Sequence, residues 1–222
     1  MANVIKLRKG LDVNLKGKAA KEEFQVKKPA VYALVPDDFT GMKPKVVVKE
    51  NDVVKVGDSL FVDKNHPEIK FVSPVSGRVT MVERGDRRKV LSVRVEADAE
   101  QQYVDFGKKN VGQMTAQEVK DLLLESGLFG FFRQRPYDVT ANPSDTPKAI
   151  FVSAFNSMPL AADFEYVLRG READFQAGLD ALAKMAKTYL GVSSKQTATA
   201  LTAAKNVEIN FFDGPAPAGN VG

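Results

Sequence analysis

Two neighbouring stretches decide the fold of the first half of the chain, VVKVGDSLF over residues 53–61 and IKFVSPVSGRV over residues 69–79. Each consists of short apolar segments that end at a turn-forming pair, Gly57-Asp58 in the first stretch and Ser76-Gly77 in the second. Glycine adopts positive φ angles without strain, and an Asp side chain can hydrogen-bond the nearby backbone. The alternation of apolar segments and turns therefore predicts a small β-sandwich.

The same stretches resemble the barrel-sandwich hybrid of biotinyl and lipoyl carrier domains, because a Val-x-x-Gly-Asp-x-Leu element is followed by Pro-Val-Ser-Gly-x-Val. Further strands at residues 30–35 and 79–95 extend this β-rich domain over residues 30–98. Carrier domains attach their cofactor to a Lys in a tight hairpin, and Lys64 lies near that position. The Met neighbours of a carrier Lys are missing and Pro67 interrupts the turn, so we expect a structural hairpin without a covalent cofactor. A lipoyl- or biotin-type carrier domain remains the alternative.

Residues 1–29 form an N-terminal basic arm, with short strands predicted at residues 4–7 and 11–15. Residues 1–30 contain three acidic and eight basic side chains, the latter being Lys6, Arg8, Lys9, Lys16, Lys18, Lys21, Lys27 and Lys28. Such an arm can contact an anionic membrane surface or nucleic acid, and a solvated face is the alternative interpretation.

The composition excludes several classes of chemistry. The 222 residues have a net charge of +4, no Cys and a single His, His66. Without Cys there is no iron–sulfur ligation, thiolate catalysis or disulfide within these residues, and one imidazole does not suit the usual zinc and copper sites. A Ser–His–Asp triad would depend entirely on His66.

No apolar stretch approaches the roughly 20 residues of a spanning helix and no secretory signal is recognised, so we expect a cytoplasmic location.

Residues 99–146 are interpreted as a linker that contains one helix and one aromatic segment. Thr115 and Glu118 have the spacing of a capping box, and Gly127 suits the left-handed position that follows a last helical turn. A helix is therefore predicted over residues 115–127.

The segment after this helix is the most unusual part of the sequence. Within nine residues it contains four aromatic rings and two guanidinium groups, those of Phe129, Phe131, Phe132, Arg133, Arg135 and Tyr137. Aromatic faces can stack on a flat ring while Arg donates hydrogen bonds to its carbonyl oxygens, so these residues form our candidate binding site. The alternative is that the Phe residues only pack the end of the helix onto the core. Single-stranded nucleic acid also favours basic and aromatic residues, but there is only one such segment.

After Pro147 the pattern changes to alternating strands and helices. The nearly continuous apolar run at residues 149–155 predicts a strand buried on both faces. It is followed by a helix, a strand, a helix and a strand at residues 172–186, 188–192, 195–204 and 207–212. This order is typical of a doubly wound sheet, so residues 147–222 are predicted to form an incomplete Rossmann-like domain. No Gly-x-Gly-x-x-Gly follows a strand, so we do not expect this part to bind NADH.

Several segments, taken in order, resemble the A-subunit family of the Na+-translocating NADH:quinone oxidoreductase, a bacterial respiratory complex. They are KGLD at residues 9–12, GMKP at 41–44, LFVDK at 60–64, FVSPVSG at 71–77, ESGL at 125–128, FRQRP at 132–136, AIFVSA at 149–154, PLAA at 159–162 and FDGPAPAG at 212–219. The family commonly has His where Ala216 stands, so no role is expected for that position. A protein like the electron-transport C subunit of the related Rnf complex is a further alternative. That family shares both folds but also has Cys-rich cluster motifs, which this sequence lacks.

The resemblance implies a peripheral subunit on the cytoplasmic side of the bacterial inner membrane, in a complex that couples NADH oxidation and quinone reduction to Na+ export. It implies partners among the other subunits, chiefly the membrane-embedded B subunit, and assigns NADH, FAD or FMN and iron–sulfur centres to those partners. Quinone is the expected ligand of the aromatic–arginine segment. No catalytic residue, metal site or nucleic-acid partner is expected in this chain.

The sequence as a whole thus predicts a multidomain α+β protein. A β-rich barrel-sandwich hybrid of the biotinyl/lipoyl type precedes the first half of a Rossmann-like α/β domain. The expected function is that of a reductase subunit that contributes to assembly and to a quinone site.

Overall fold

The computed structural model describes residues 4–17 and 20–219. Lys18 of the basic arm and residues 220–222 of the predicted Rossmann-like domain lie outside the described residues. The chain forms two compact units, which we name the barrel unit (residues 26–109 and 120–146) and the parallel-sheet unit (residues up to 25, 110–119 and from 147 onward). The segment predicted as a linker, residues 99–146, is thus divided between the two units.

The described residues contain thirteen strands and four α-helices. The strands are β1 (Val4–Lys6), β2 (Val31–Leu34), β3 (Pro44–Val46), β4 (Val53–Val54), β5 (Ser59–Asp63), β6 (Lys70–Val72), β7 (Gly77–Arg84), β8 (Val90–Ala97), β9 (Arg133–Gln134), β10 (Val139–Thr140), β11 (Ile150–Ser153), β12 (Thr188–Ser193) and β13 (Glu208–Asp213). The helices are α1 (Ala116–Glu125), α2 (Phe164–Val167), α3 (Glu172–Met185) and α4 (Thr199–Thr202).

Two antiparallel sheets build the barrel unit, with strand orders β2-β8-β7-β4 and β3-β5-β6. Both sheets contribute fully buried side chains, Phe61 and Phe71 from the smaller sheet and Val79, Val93 and Val95 from the larger one. The rings of Phe61 and Phe71 stack with their centroids 5.0 Å apart. Burying one side chain of this size stabilises the fold by about 1.5–3 kcal/mol, so this shared core holds the two sheets together.

The turns between these strands form as the sequence predicts. The Asp58 carboxylate accepts a hydrogen bond from the Lys55 N–H at 2.6 Å, and the Asp52 carboxylate accepts one from the Lys49 N–H at 2.9 Å. Gly57 has a φ of 97°, which a side-chain-bearing residue rarely adopts. Local side-chain and backbone chemistry therefore ends each strand where the pattern indicates.

Helix α1 begins at the predicted capping box. The Thr115 hydroxyl oxygen accepts from the Glu118 N–H at 3.2 Å, and the Glu118 carboxylate accepts from the Thr115 N–H at 2.8 Å. The chain leaves the helix through Gly127, whose φ is 76°. A Cβ at Gly127 would lie 2.6 Å from Val72 Cγ1, so both the backbone angle and the close approach require glycine.

The parallel-sheet unit has the strand order β1-β13-β12-β11, and all its pairings are parallel. Helices α3 and α4 lie in the two crossovers from β11 to β12 and from β12 to β13. Right-handed crossovers that step in the same direction place their helices on one face. On that face Leu179 and Leu201 pack with Leu190 and Val192 of β12. Strand β1 pairs with β13, so this part of the predicted basic arm belongs to the Rossmann-like sheet.

The strand predicted within residues 149–155 is present as β11, but the prediction that it is buried on both faces is wrong. Strand β11 lies at the edge of the sheet, and Phe151 is 73% exposed. Val152 packs against the core below α3, whereas the Phe151 ring stacks on Tyr189 at 5.1 Å. The apolar run is genuine, but the helices of the described residues cover one face of the sheet only.

Two smaller predictions also differ from the structure. Residues 11–15 form no strand, because no neighbouring strand pairs with them, and Leu11 is 81% exposed. The helix predicted over residues 195–204 is reduced to α4. The Gln196 side-chain oxygen accepts from the N–H groups of Thr197 and Ala198, both at 2.9 Å, which forms a turn before the helix starts.

Among the described residues, no helix combines the length and the apolar composition needed to cross a bilayer.

Candidate functional site

The aromatic–arginine segment folds as a 3₁₀ turn, Phe129–Phe131, followed by a hairpin of β9 and β10 in the barrel unit. We call residues 129–140 the aromatic hairpin. It rests against residues 36–41, which we call the 36–41 loop. The Thr140 N–H donates to the Thr40 carbonyl at 2.8 Å, and a Cβ at Gly41 would lie 2.7 Å from Val139 Cβ. This contact fixes the position of the hairpin on the barrel.

Two of the six candidate residues contribute to packing. Phe129 is 4% exposed, and its ring centroid lies 5.4 Å from that of Phe132, which is half-buried. At Gly130 a Cβ would lie 2.8 Å from the Phe71 ring. These contacts favour the alternative interpretation for Phe129 and Phe132, since a ring that faces the core offers little area to a ligand.

The Arg133 guanidinium acts as a brace between two backbone segments. One of its nitrogens donates to the Asp138 carbonyl at 3.3 Å, and another donates to the Asp38 carbonyl at 3.1 Å. The first bond closes the aromatic hairpin and the second ties it to the 36–41 loop. Arg133 therefore positions the hairpin, and two of its donors are already used.

The remaining three candidate residues are exposed on the hairpin. Phe131 is 68% exposed and Tyr137 is 74% exposed, and Arg135 makes one long ion pair with Asp138 at 3.7 Å. The edge of Phe131 meets Phe39 with the ring centroids 5.6 Å apart. The structure thus places two accessible aromatic rings and one available guanidinium on a single braced hairpin. Such a set can stack on a flat, apolar ring and donate hydrogen bonds to its carbonyl oxygens.

Sequence reasoning missed the 36–41 loop as part of this site. Phe39 lies between Phe131 and the core, with its ring 4.4 Å from that of Phe71, and the Asp38 carbonyl receives the Arg133 brace. Asp38 and Arg133 are 95 residues apart in the sequence, so local patterns do not reveal the contact. An aromatic residue inside the turn-rich sequence PDDFTG is the one available signal.

The loop that contains Lys64 is built as a structural turn. Asp63 is buried, and its carboxylate accepts from the N–H groups of Lys43 at 3.2 Å and Asn65 at 3.0 Å. The Lys64 N–H donates to the Lys43 carbonyl at 2.7 Å. This geometry accounts for the loop without a cofactor, and the absence of covalent modification at Lys64 stays a prediction.

The loop that begins at the last residue of β13, residues 213–219, lies at the carboxyl edge of the parallel sheet, where α/β proteins commonly bind ligands. We call it the carboxyl-edge loop. Here the N-terminal segment of the same unit forms hydrogen bonds with this loop. The Ala216 N–H donates to the Asp12 carboxylate at 2.8 Å, and the Leu11 N–H donates to the Ala216 carbonyl at 3.0 Å. At Gly10 a Cβ would lie 2.0 Å from that carbonyl oxygen, so the two segments touch directly. The backbone groups of Ala216 are therefore used within the unit.

Other ionic and concave features lie in the parallel-sheet unit. A hydrogen bond with Tyr189 raises the pKa of Lys187 above its usual range. The Glu208 carboxylate, whose oxygen lies 2.9 Å from Lys187 Nζ, raises the pKa of Lys187 further. Beside them, at the amino ends of β12 and β13, a shallow cavity of about 430 Å³ is lined partly by Asn206 and Lys187. Within the described residues there is no group of three or more side chains that could ligate a metal.

Two antiparallel sheets packed as a barrel-sandwich, followed along the chain by a parallel sheet with crossover helices, define a class of two-domain proteins. In this class a barrel-sandwich hybrid precedes a Rossmann-like α/β domain. The family model described as the NqrA N-terminal barrel-sandwich hybrid domain matches residues 5–98. The model described as the NqrA second alpha/beta domain matches residues 114–222. The chain therefore belongs to the NqrA family, and the predicted fold class is confirmed.

Curated relatives agree with this assignment. Proteins named as the A subunit of Na(+)-translocating NADH-quinone reductase are 36% identical in Yersinia pseudotuberculosis and 36% identical in Vibrio vulnificus, over 99% of this chain and 50% of each relative. The protein of that name in Pseudomonas aeruginosa is 34% identical over 97% of this chain and 49% of its own length. The chain thus spans about half the length of the curated relatives it matches.

Proposed function

We propose that this chain is the barrel-sandwich and α/β part of the A subunit of a Na+-translocating NADH:quinone oxidoreductase. The observation that carries the proposal is the 36% identity to a protein of that name over 99% of the chain, through both domains. In this role the chain contributes to assembly of the complex and has no complete active site of its own.

The proposed location is the cytoplasmic side of the bacterial inner membrane, with the membrane-embedded B subunit as the chief partner. NADH, FAD or FMN and iron–sulfur centres belong to partner subunits in this proposal. Two observations support that division. These 222 residues contain no Cys to ligate a cluster, and the Ala216 backbone groups in the carboxyl-edge loop are hydrogen-bonded to Leu11 and Asp12.

Within the complex, we propose that the aromatic hairpin contacts the quinone headgroup. A benzoquinone ring is flat and apolar on its faces and accepts hydrogen bonds at two edges. Phe131 and Tyr137 supply accessible faces, and Arg135 supplies a donor that is only weakly engaged with Asp138. Arg133 acts indirectly, since its brace to the 36–41 loop holds the hairpin in place.

Membership of the complex is tested by affinity purification of the tagged chain from its native host. The expected result is co-purification of the B subunit and of NADH:quinone reductase activity that depends on Na+. Recovery of the chain without any other reductase subunit would contradict the proposal.

The quinone contact is tested separately, by the KM for ubiquinone-1 in the purified complex. A stacking contact is worth about 0.5–1.5 kcal/mol, so Phe131→Ala and Tyr137→Ala should each raise KM roughly two- to tenfold with the thermal stability unchanged. Phe151→Ala is the matched control, because Phe151 is equally exposed but lies in the parallel-sheet unit. An unchanged KM in both hairpin variants would show that this hairpin does not contact quinone. It would leave the proposed membership of the complex unaffected.

A further inference from the structure

The tip of the β7–β8 hairpin is strongly basic. Its sequence RGDRRK, residues 84–89, contains four cationic side chains and one carboxylate, that of Asp86. All four cationic residues are exposed. We call residues 84–89 the basic tip.

The backbone conformation of the turn does not explain why Arg87 and Arg88 stand at its two central positions. The Lys89 N–H donates to the Asp86 carbonyl at 3.1 Å, which closes a β-turn around Arg87 and Arg88. The φ angles of these two residues are 53° and 62°. Two successive positive φ angles define a type I′ turn, which strongly favours Asn-Gly. Arg at both positions is unfavourable for the backbone, so another use of these side chains is to be expected.

The arginines of the tip are also not neutralised within the described residues. Lys89 pairs with Asp37 at 2.6 Å, and the Arg84 guanidinium donates to the Arg88 carbonyl at 3.3 Å. No ion pair in the described part of the chain involves Arg84, Arg87 or Arg88. Three cationic groups therefore face solvent without a carboxylate partner.

The basic tip lies at the same end of the barrel unit as the exposed rings of the aromatic hairpin. Both elements contact the 36–41 loop: Lys89 pairs with Asp37, and the Phe131 ring meets that of Phe39. Phe131 and Tyr137 of the aromatic hairpin are more than two-thirds exposed. One end of the barrel thus combines exposed guanidinium groups with exposed aromatic side chains.

We propose that this end of the barrel unit docks directly on an anionic bilayer surface. Guanidinium groups bind lipid phosphates, and each basic side chain near an anionic surface strengthens binding about fivefold. Aromatic side chains are favoured where the lipid headgroups meet the acyl region, so the exposed rings near the basic tip suit a bilayer surface. The proposal goes beyond the proposed function and does not depend on it, because it concerns lipid binding by the chain alone.

The test is co-sedimentation of the purified chain with vesicles of phosphatidylcholine, with or without phosphatidylglycerol. The decisive variant is Arg87→Asn with Arg88→Gly, which removes two charges and installs the residues that a type I′ turn favours, so folding is preserved. Its matched control is Lys108→Asn with Lys109→Gly. Lys108 and Lys109 come shortly after Phe106, which lies next to Gly57. Gly57 follows β4, and Val54 of β4 pairs with Gly77 at the start of β7. The start of β7 is the end of the hairpin opposite to the basic tip, so the control removes the same charge from another part of the barrel unit.

The parent chain should bind vesicles that contain phosphatidylglycerol, and the binding should weaken as salt increases. The tip variant should bind about 25-fold more weakly, and the control variant should bind like the parent. Three results would overturn the proposal: no binding to either vesicle, equal binding by the tip variant and the parent, or an equal loss in the control. The third result would indicate that vesicle binding depends on the net charge of the chain and not on the basic tip.

Discussion

Burial differs sharply between the Phe residues on strands β5 and β6 of the barrel unit and the Phe residue on strand β11 of the parallel-sheet unit. In the barrel, Phe61 and Phe71 are fully buried between two sheets that cover each other. In the parallel sheet, Phe151 is 73% exposed and its ring stacks on that of Tyr189. A parallel sheet depends on helices for cover on each face, and the described helices lie on one. Apolar sequence alone therefore does not tell whether a strand residue is buried.

The largest expected effect compares these two kinds of Phe directly. Phe61→Ala should lower the free energy of unfolding by about 3–5 kcal/mol, because it leaves a cavity in a closed core. Phe151→Ala should change it by less than about 1 kcal/mol, since the ring is mostly in solvent already. Urea unfolding of both variants measures the difference. Equal losses would show that the exposed face of the parallel sheet is covered in solution.

A second comparison uses two glycines with nearly the same backbone angle. Gly127 has a φ of 76° and close contact with Val72, whereas Gly170 has a φ of 75° and nothing within 4 Å of the place that a Cβ would take. Gly170→Ala should cost about 1 kcal/mol from the left-handed backbone alone. Gly127→Ala should cost about 2–3 kcal/mol, because overpacking against Val72 adds to that strain. Thermal unfolding of both variants separates the strain of the left-handed backbone from the overpacking against Val72. Equal losses of stability in the two variants would show that packing at Gly127 contributes nothing.

The predictions that succeed depend on residues close together in the sequence. The Thr115–Glu118 capping box and the Asp58 turn are decided by hydrogen bonds across three residues, so the pattern contains all the required information. Strand β1 is different. Its Val4 pairs with Phe211, and no local property of the basic arm indicates a partner so distant in sequence.

The sequence predicts the candidate site only in part for the same reason. The aromatic–arginine composition locates the segment, but the roles of its residues depend on the 36–41 loop. Phe39 supports Phe131 from that loop, and the Asp38 carbonyl holds Arg133. Burial of Phe129 is likewise a tertiary property, set by the core around it. Half of the six candidates remain available to a ligand in the structure, namely Phe131, Arg135 and Tyr137.

The third prediction concerns the carboxyl-edge loop of the parallel sheet. Asp12→Ala removes the acceptor of the Ala216 N–H and should cost about 1 kcal/mol, with faster hydrogen exchange at the Ala216 amide. Asp12→Asn keeps a side-chain oxygen at the same place and should retain most of the protection. If exchange at Ala216 is unchanged in Asp12→Ala, the N-terminal segment does not close this loop.

The smallest effect is a local titration in the barrel unit. Hydrogen bonds from the Ser92 hydroxyl and from Arg94 lower the pKa of Glu83 below its usual value. A lowered folded-state pKa means that this contribution to stability is present above the unfolded-state pKa and is lost as the pH falls through the folded-state pKa. Ser92→Ala should therefore move the pKa of Glu83 upward, measured by the carboxyl carbon shift in an NMR titration. An unchanged midpoint would leave Arg94 as the whole cause.

We propose that the ligand-binding surface of this chain is the aromatic hairpin of the barrel unit and not the carboxyl-edge loop of the parallel sheet. Backbone amide shifts of the isotope-labelled chain, recorded during titration with ubiquinone-1, distinguish the two surfaces. We expect saturable shifts at residues 131–137 and at Asp38 and Phe39, with residues 213–219 unchanged. Saturable shifts confined to residues 213–219 would contradict the assignment.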